Sequence, residues 1–501
     1  MTGAATTAEA EVARAEVAVV GAGPAGLAAA ATAAEAGLSV VLVDAAARPG
    51  GQFWRHGPGG PRADEGHHHL GTYADLTERL SRAGVRTLYG RQVWRAERGA
   101  DGFILRTRPA HDTARAPAVT VAARALVLCP GGYDRQLPIP GWDLPGVMAA
   151  GGVQALLKAD GTLAGRRAVV AGTGPFLLPV ATGLAAAGAD VPLVCEANTL
   201  RGWLREAGGA AREPAKAVEA ARYAALLARH RIPYRTRTVV THILGGTRVR
   251  AVRVAPLGRD GRPVTARATE VAADLVALGW GFTPALELPL ALGARTRVDV
   301  DGSLVAAVDA WQRASVPGVY LAGECTGVGG AALALREGRL SGIAVAADLG
   351  RSYDRGAVRR LRSGIRRGRR FAAAMHTAHP VPAHWTAWLT PDTVVCRCEE
   401  VTFAALDEAH RTLGADDPRT LKQLARPGMG MCQGRVCGFA TTAISAALTG
   451  RPATAADHRG LATRPLAFPV PLGEIAAADG DGDGDGDGDG DGDGDGGGPD
   501  A

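Results

Sequence analysis

The sequence predicts an α/β protein with two Rossmann-like nucleotide-binding units, followed by a small cysteine-rich helical module. Two strand–turn–helix–strand segments, at 16–44 and 166–196, and four cysteines crowded into 396–437 support this prediction. A chain of 501 residues is long enough for about three domains of roughly 100 to 200 residues each. We therefore expect two nucleotide-binding halves and one separate cysteine domain.

The first unit contains the fingerprint GAGPAG at 21–26. Gly21 permits a tight turn, Gly23 lets the backbone approach a pyrophosphate, and Gly26 lets the helix pack closely on the strand. The N-terminus of that helix favours phosphate charge. Asp44 ends the second strand, 18 residues after Gly26, where a carboxylate can accept hydrogen bonds from ribose hydroxyls. The complete unit predicts a dinucleotide site.

The second unit, at 166–196, repeats the same order of elements. Gly172 and Gly174 repeat the turn, but Leu177 stands at the third glycine position, so the helix cannot pack as closely on the strand. Glu196 ends the second strand and favours a ribose with a free 2′-hydroxyl, hence NAD or another adenine nucleotide over NADP. Two alternatives stay open: a working site, or a retained fold whose pocket is empty or only structural.

The cysteine-rich module carries the pattern Cys396-x-Cys398, then 33 residues, then Cys432-x4-Cys437. Four thiolates in two tight pairs suit either zinc or an iron–sulfur cluster, and the spacing alone leaves both open. The remaining cysteines form no Cys-x-x-Cys pair, so redox dithiol chemistry lacks its residues. We expect these three to be buried packing residues: Cys129, Cys195 and Cys325.

Charge and composition narrow the classes of function. The net charge is +6, and the ten Asp of the C-terminal DG segment leave +16 on the rest of the chain. The densest basic segment, 351–370, lacks a recognisable binding module, so we expect a solvated helix or subunit contact and no nucleic-acid binding. The DG repeat, 476–501, has almost no apolar residues and is predicted to be disordered rather than a calcium-binding solenoid.

Location is predicted from the cysteines and from hydropathy. Seven cysteines, an odd number with four clustered, do not form the pattern of a secreted disulfide framework. The chain contains no run of 18 apolar residues and no signal-peptide h-region. We expect a cytoplasmic protein without a membrane span, with a peripheral position at the inner face of the membrane as the alternative.

Two segments carry a family resemblance. VPGVYLAGECTG (316–327) and PGGQFW (49–54) resemble two-dinucleotide-binding, glutathione-reductase-type flavoproteins. The resemblance implies that an acid, here Glu324 in place of Asp, contacts the flavin ribityl chain. The next helix should point its N-terminus at the flavin pyrimidine ring, where its dipole favours the anionic reduced form. FAD is therefore assigned to these residues: Gly21, Gly23, Pro24, Ala25, Gly26, Asp44, Gly51, Gln52, Gly323 and Glu324.

The cysteine module has its own resemblance. CRCEEVTFAAL and LKQLARPGMGMCQGRVCG closely resemble the bacterioferritin-associated-ferredoxin-like (BFD-like) module, in which helix-flanked loops hold a [2Fe-2S] cluster. The resemblance implies that Cys396, Cys398, Cys432 and Cys437 bind [2Fe-2S], with structural zinc and ligand-free packing as alternatives. Four glycines should let the backbone approach the sulfurs and donate N–H groups: Gly428, Gly430, Gly434 and Gly438.

The chain from about 15 to 475 resembles the α (A) subunit shared by octopine and nopaline oxidases, D-hydroxyproline and L-proline dehydrogenases, and hydrogen-cyanide synthase. YDRQLPIPGWDLPGVMAAGGVQALLK, GWGFTPALEL and RPLAFPVPLGEIA carry the match. The resemblance implies a D-amino-acid-oxidase-like β flavoprotein subunit that oxidises an amine or imino acid, and in some relatives further nucleotides and FMN between subunits.

The function so implied is an electron-transfer subunit that passes electrons from the partner through FAD and [2Fe-2S] to a dye, quinone or respiratory acceptor. A flavin takes two electrons and a [2Fe-2S] cluster takes one, which suits the conversion of a hydride into single electrons. Two alternatives stay open: a stand-alone NAD(P)H-dependent FAD/iron–sulfur oxidoreductase, and a non-catalytic scaffold subunit.

No side chain stands out as a catalytic base, and flavin dehydrogenation can proceed without one. The loop and linker histidines are expected to face solvent: His67, His68, His69, His376, His379 and His384. The expected domains are a discontinuous FAD-binding domain at 15–150 and 277–350, an NAD-binding-like domain at 151–276, a basic linker at 351–390, the BFD-like [2Fe-2S] domain at 391–450, a C-terminal extension at 451–475, and the DG repeat at 476–501.

Overall fold

The computed structural model describes residues 11–62, 67–110, 119–210 and 213–480. Numbered in chain order, its strands are β1 (Glu11–Val20), β2 (Val40–Asp44), β3 (Arg86–Tyr89), β4 (Arg91–Gly99), β5 (Gly102–Pro109), β6 (Val119–Leu128), β7 (Gly132–Asp134), β8 (Val147–Ala149), β9 (Arg167–Gly172), β10 (Asp190–Glu196), β11 (Tyr234–Thr236), β12 (Thr238–Gly245), β13 (Val249–Pro256), β14 (Thr269–Ala272), β15 (Leu275–Gly279), β16 (Phe282–Pro284), β17 (Thr296–Val298), β18 (Leu304–Ala306), β19 (Val319–Leu321), β20 (Val394–Cys396) and β21 (Val401–Thr402).

The helices are numbered in the same way: α1 (Pro24–Glu35), α2 (Leu70–Arg82), α3 (Ala150–Asp160), α4 (Leu177–Ala186), α5 (Gly202–Arg205), α6 (Ala207–Ala210), α7 (Pro214–Arg229), α8 (Glu287–Ala291), α9 (Ala331–Asp348), α10 (Arg355–Ala378), α11 (Phe403–Leu413), α12 (Pro418–Ala425), α13 (Gly438–Thr449), α14 (Ala455–Ala462) and α15 (Leu472–Gly480).

The first sheet has the order β3-β2-β1-β6-β5-β4, with β19 also paired to β6. Its β3, β2, β1, β6 and β19 are parallel, whereas β4 and β5 add an antiparallel hairpin. Strand β2 is almost wholly buried and reads VVLVD, which is typical of a parallel strand covered on both faces. This arrangement places the ends of β1, β2 and β19 at one edge, where dinucleotides bind in open α/β sheets.

The second sheet is parallel throughout, with the order β11-β10-β9-β15-β8. Its β11-β10-β9 part repeats the β3-β2-β1 order of the first sheet. An antiparallel three-stranded sheet, β12-β13-β14, is inserted between β11 and β15. The chain therefore contains two nucleotide-binding folds in the same strand order.

Helices α1 and α9 pack unusually closely beside the first sheet. Helix α1 is rich in alanine, and α9 places glycine against it. An added Cβ would lie 2.0 Å from the Ala25 oxygen at Gly338 and 2.6 Å from the Ala29 oxygen at Gly342. Only glycine allows this approach, which brings the beginning of α9 next to the turn that follows β1.

The segment predicted as a basic linker, 351–390, is largely a helix. Helix α10 has 24 residues and buries Gly364, Gly368 and Ala372 on the side that meets α9. Its Arg369 pairs with the buried Glu337 of α9 at 2.6 Å. The small residues that permit this packing lie between arginines. The high charge of the segment therefore gives no sign in the sequence that one face of the helix is buried.

The cysteine module packs against the second domain and shares its hydrophobic core. Trp142, Trp280 and Trp388 lie in one buried cluster with Cys396 and Cys437. The indole N–H of Trp142 donates to the Val394 carbonyl at 2.5 Å, so the strand that carries Cys396 is fixed to the body of the protein.

The last described element is a helix at the C-terminus. Helix α15 covers the first residues of the predicted DG repeat, and the rest of that repeat, 481–501, lies outside the described residues. Among the described residues, no helix is both long enough and apolar enough to cross a membrane.

Candidate functional site

Of the three fingerprint glycines in the turn after β1, only the second has free space where a side chain would stand. An added Cβ would lie 2.2 Å from the Cys129 oxygen at Gly21 and 1.7 Å from the Gly21 oxygen at Gly26. At Gly23 the nearest atom would be the Gly51 Cα, at 3.8 Å. Helix α1 begins directly after Gly23. The turn therefore presents open backbone and a helix N-terminus at one place, as a pyrophosphate requires.

Asp44 stands at the end of β2 beside this turn. Its carboxylate accepts hydrogen bonds from the backbone N–H groups of Ala22 at 2.5 Å and Ala46 at 2.6 Å. Burial raises the pKa of Asp44, and these two donors oppose the rise. The residue remains only half-buried, so its oxygens can still accept hydrogen bonds from a ribose.

The other predicted residues of this first site differ in their surroundings. Ala25 is buried, and its Cβ would lie 3.2 Å from a Cβ added at Gly323 of the second predicted flavin motif. Gly51 has a positive φ of 57°, and an added Cβ would lie 2.8 Å from the Gly23 Cα. Gln52 is exposed, and its oxygen accepts a hydrogen bond from Arg55 at 3.3 Å. Gly51 thus touches the turn directly, whereas Gln52 flanks it.

The second predicted flavin motif lies at the beginning of α9. Gly323 has a φ of 82° and donates its N–H to Glu337 at 3.0 Å. The Glu324 carboxylate accepts from the N–H groups of Gly329 at 3.2 Å and Gly330 at 2.9 Å. Burial raises the pKa of Glu324 to about 7, and the Gly330 N–H opposes that rise. The extra methylene of Glu lets this side chain reach the helix N-terminus.

The prediction that all six histidines face solvent is wrong for two of them. His67 is 4% exposed, and its Nε2 lies 2.6 Å from the Arg55 carbonyl oxygen. His379 is 9% exposed and lies 3.5 Å from Glu196. The partners of His67, Arg55 and Arg62, lie in its own loop. His379 is held by Glu196, which is distant in the sequence, so the local polarity of the linker does not reveal this contact.

A contact between the two nucleotide-binding domains was not anticipated from the sequence. Lys158 of α3 donates to the Phe53 carbonyl at 3.3 Å, and His68 lies 3.3 Å from the Tyr223 hydroxyl of α7. Burial lowers the pKa of Lys158 to about 8. The loop beside the first turn is thus fixed to the second domain.

The second nucleotide unit has the predicted turn and acid, but its acid is inaccessible. Glu196 is 0% exposed and accepts hydrogen bonds from Gly174 N at 2.8 Å and Asn198 N at 2.9 Å. Burial would raise the pKa of Glu196, yet His379 and these N–H groups outweigh it and lower that pKa. This carboxylate is satisfied by the chain itself.

The four module cysteines form one group. The thiol of Cys437 lies close enough to those of Cys396 and Cys432 to change their pKa values, and the same holds between Cys432 and Cys398. The Cys437 thiol, helped by the Gly428 N–H at 3.5 Å, lowers the pKa of Cys396 to about 6. Across the described ranges, no three His, Cys, Asp or Glu side chains have the preformed arrangement of a metal-ion site. The sulfurs meet pairwise, which still fits two irons that each take two thiolates.

Glycines make this approach of the two cysteine loops possible. An added Cβ at Gly430 would lie 2.4 Å from the Cys398 Cβ. Gly428 and Gly434 have φ angles of 77° and 82°, which favour glycine. Gly438 differs from the prediction, because its N–H donates to the Gly434 carbonyl at 2.7 Å instead of to a sulfur.

One arginine joins the second cysteine loop to the first domain. Arg435 donates to the Tyr133 hydroxyl at 3.0 Å and to the Cys432 carbonyl at 3.1 Å. It also pairs with Glu287 at 2.7 Å and stacks on Phe468 with 4.1 Å to the ring centroid. Tyr133 belongs to β7, shortly after the end of β6. The second cysteine loop is therefore in contact with the first domain.

We expect Arg435→Met to lower the local opening free energy of the loop around Cys432 by about 3 kcal/mol, because it leaves Glu287 without its cation in a mostly buried place. Native-state hydrogen exchange of that loop measures the change. The control is Arg411→Gln, since Arg411 is 73% exposed and pairs with Asp407 on the surface of α11. Equal exchange in the two variants would contradict the role of Arg435 as a clamp.

The chain has relatives among known proteins. Residues 15–348 match the family model described as pyridine nucleotide-disulphide oxidoreductase. The chain is 34% identical to the A subunit of opine oxidase from Rhizobium meliloti (strain 1021), over 91% of this chain and 97% of that protein. It is 33% identical to the HcnB subunit of hydrogen cyanide synthase from Pseudomonas protegens, over 86% of this chain and 92% of that protein.

The fold is also similar to a solved structure, that of L-proline dehydrogenase from P. horikoshii. The TM-score is 0.67 at 19% identity, over 93% of this chain and 80% of that one. Such low identity supports a statement about the fold alone. The predicted Rossmann-like α/β flavoprotein fold is thereby confirmed.

Proposed function

Because the chain belongs to the pyridine nucleotide-disulphide oxidoreductase family and is a flavin oxidoreductase, we propose that it is an FAD- and [2Fe-2S]-containing electron-transfer subunit. It would serve a heteromeric amine or imino-acid dehydrogenase or oxidase. Its resemblance to the opine oxidase A protein and to HcnB extends over most of the chain. Those relatives are named subunits, which supports a subunit of a heteromeric flavoprotein dehydrogenase here.

The observation that carries the proposal is the contact between the cysteine module and the first domain. Arg435 binds the Cys432 carbonyl on one side and Tyr133 of the first domain on the other. Arg135, next along from β7, stacks on Phe439 with 4.1 Å to the ring centroid. The cysteine group is thus fixed against the domain with the open Gly23 turn, as two centres that exchange electrons require.

The chain's residues fit both groups. Gly23 and the start of α1 would receive the pyrophosphate of FAD, and Asp44 would receive its ribose. Cys396, Cys398, Cys432 and Cys437 supply the four soft ligands of a [2Fe-2S] cluster. When bound, FAD accepts an electron pair and the cluster passes single electrons. The Cys437 thiol lowers the pKa of Cys396 and Cys432, whereas the pKa values of Cys398 and Cys437 itself are raised, so deprotonation of all four would accompany binding of the cluster.

The named relatives support a proposal for the partner and the class of substrate. The A subunit of opine oxidase and the alpha subunit of sarcosine oxidase are both parts of oxidases. We propose that a D-amino-acid-oxidase-like β flavoprotein subunit oxidises the amine or imino acid, of the opine, hydroxyproline or proline type. A dye, quinone or respiratory carrier would accept the electrons from this chain. FMN between the subunits belongs to the same proposal.

The two alternative functions receive less support. A stand-alone NAD(P)H-dependent oxidoreductase needs the second nucleotide site, whose acid Glu196 is 0% exposed and already hydrogen-bonded. A non-catalytic scaffold would not need four cysteines grouped together at a domain contact. The electron-transfer role needs the four cysteines and does not need a nucleotide beside Glu196.

The decisive experiment is anaerobic purification of the full chain together with its partner subunit, followed by analysis of FAD, iron and acid-labile sulfide. We expect about one FAD and two irons per chain, because four thiolates complete one two-iron cluster. Adding an opine, hydroxyproline, proline or glycine should then bleach both the flavin and the cluster absorbance. Zinc in place of iron and sulfide, or a chain without flavin, would contradict the proposal.

A further inference from the structure

We propose that the linker after α10 closes the second nucleotide site, so that this chain does not use NAD(P)H although its family is named for pyridine nucleotides. This inference goes beyond the proposed function, because it concerns which electron donor the chain rejects. The two nucleotide-binding units of the chain provide an internal comparison. One of them has an accessible acid and turn, and the other is covered at both places.

The acids at the ends of β2 and β10 differ in accessibility. Asp44 is half-buried, whereas Glu196 is 0% exposed. The oxygens of Glu196 accept from Gly174 N, Asn198 N and the Thr173 hydroxyl, the last at 3.1 Å. A ribose binds such an acid by donating hydroxyl hydrogens to it. Asp44 accepts the corresponding two N–H groups, from Ala22 and Ala46, so Glu196 differs in the additional Thr173 hydroxyl and in having no exposed surface for a ribose to reach.

The side chain of His379 lies against this acid. The Trp203 indole donates to His379 Nε2 at 2.9 Å. An indole is a donor only, so Nε2 is the acceptor and the proton sits on Nδ1. That Nδ1 is 3.5 Å from Glu196, which is long for a hydrogen bond but excludes any intervening ligand. The imidazole therefore occupies the approach to the carboxylate.

The linker backbone covers the rest of the unit. The His379 carbonyl accepts from the Thr173 hydroxyl at 3.4 Å, and the Pro380 carbonyl accepts from the Asn198 side chain at 2.8 Å. An added Cβ at Gly174 would lie 3.9 Å from the His379 Cβ. The two turns differ in exposure, because Gly174 is buried whereas the corresponding Gly23 of the first unit, whose neighbour is the loop glycine Gly51, is partly exposed. The linker runs where a dinucleotide would run.

The helix after this turn is also unsuited to a phosphate. Helix α1 begins immediately after Gly23, but α4 begins at Leu177, three residues after Gly174. The N–H of Leu177 donates to the Gly174 carbonyl at 3.3 Å. Phosphate binding at a helix N-terminus requires free N–H groups next to the glycine turn. The missing third glycine and the filled pocket therefore both disfavour binding of a dinucleotide at the second turn.

The test is calorimetric titration of the FAD-replete full chain with NADH. We expect no binding by the wild type up to about 1 mM. His379→Ala should expose Glu196 and bind NADH at least about tenfold more tightly, with a change in Trp203 fluorescence that reports release of the imidazole. Trp203→Phe releases the same imidazole without changing the linker and should gain NADH binding in the same direction. His384→Ala, at an exposed linker position, is the matched control.

Binding of NADH by the wild type would overturn the inference. A change in Trp203 emission in His379→Ala without any gain in NADH binding would also overturn it, because the linker would then not be the obstacle. Gain of binding in His384→Ala as well would show that the effect is not specific to His379. Cofactor composition is measured separately, so this inference and the proposed function can fail independently.

Discussion

Cys432→Ser is expected to give a protein that keeps its FAD and loses its cluster, with iron and acid-labile sulfide reduced about tenfold or more. The thiol of Cys432 is close to those of both Cys398 and Cys437, so its replacement breaks the group at its centre. An alcohol oxygen is a harder and less acidic ligand than a thiolate. Metal analysis, sulfide assay and visible absorbance of the anaerobically purified variant measure the effect.

The matched control is Cys195→Ala, which removes a sulfur from β10. Cys195 is 0% exposed, lies in the core of the second domain and is outside the group of four thiols. We expect this variant to retain wild-type iron and FAD. Full iron content in Cys432→Ser, or an equal loss in Cys195→Ala, would show that the four cysteines are not the ligands. Retained FAD in both variants shows that the fold survives.

The parts of the molecule that the sequence predicts well depend on local chemistry. The GAGPAG turn and the acid at the end of β2 lie within one short unit, and the structure brings Gly23 and Asp44 to the same edge. The burial of Cys129, Cys195 and Cys325 is likewise confirmed, because each follows or interrupts an apolar strand. The spacing of residues along the chain is therefore enough to predict the turn, the acid and the buried cysteines.

The parts that the sequence did not predict depend on distant contacts. Thr173 and the His379 carbonyl are 206 positions apart, and Tyr133 and Arg435 are 302 positions apart. Nothing in a polar linker indicates that its histidine will fill a pocket elsewhere. The basic segment forms the helix that was expected, but its buried face was not predicted, since the glycines and alanines that bury one face of α10 carry no charge to mark that face.

Gly23→Ala should fold normally and bind FAD about tenfold or more weakly than the wild type. The backbone at Gly23 has φ −75° and ψ −175°, which alanine adopts without strain. A new Cβ would meet no protein atom closer than 3.8 Å, so the protein itself accommodates the methyl group. The same methyl group would clash with the pyrophosphate, which must approach the backbone at this residue. Titration of the apoprotein with FAD, followed by flavin fluorescence, measures the loss.

Two further variants separate cofactor binding from folding. Gly26→Ala would place a Cβ 1.7 Å from the Gly21 oxygen, so we expect it to destabilise the whole domain and lower the yield of soluble protein. Gly71→Ala, in α2, meets nothing within 4 Å and should match the wild type in both stability and FAD affinity. If Gly23→Ala binds FAD as tightly as Gly71→Ala does, the turn after β1 does not hold the pyrophosphate. If only Gly23→Ala loses FAD while its thermal unfolding is unchanged, the open backbone at this one glycine is the cofactor contact.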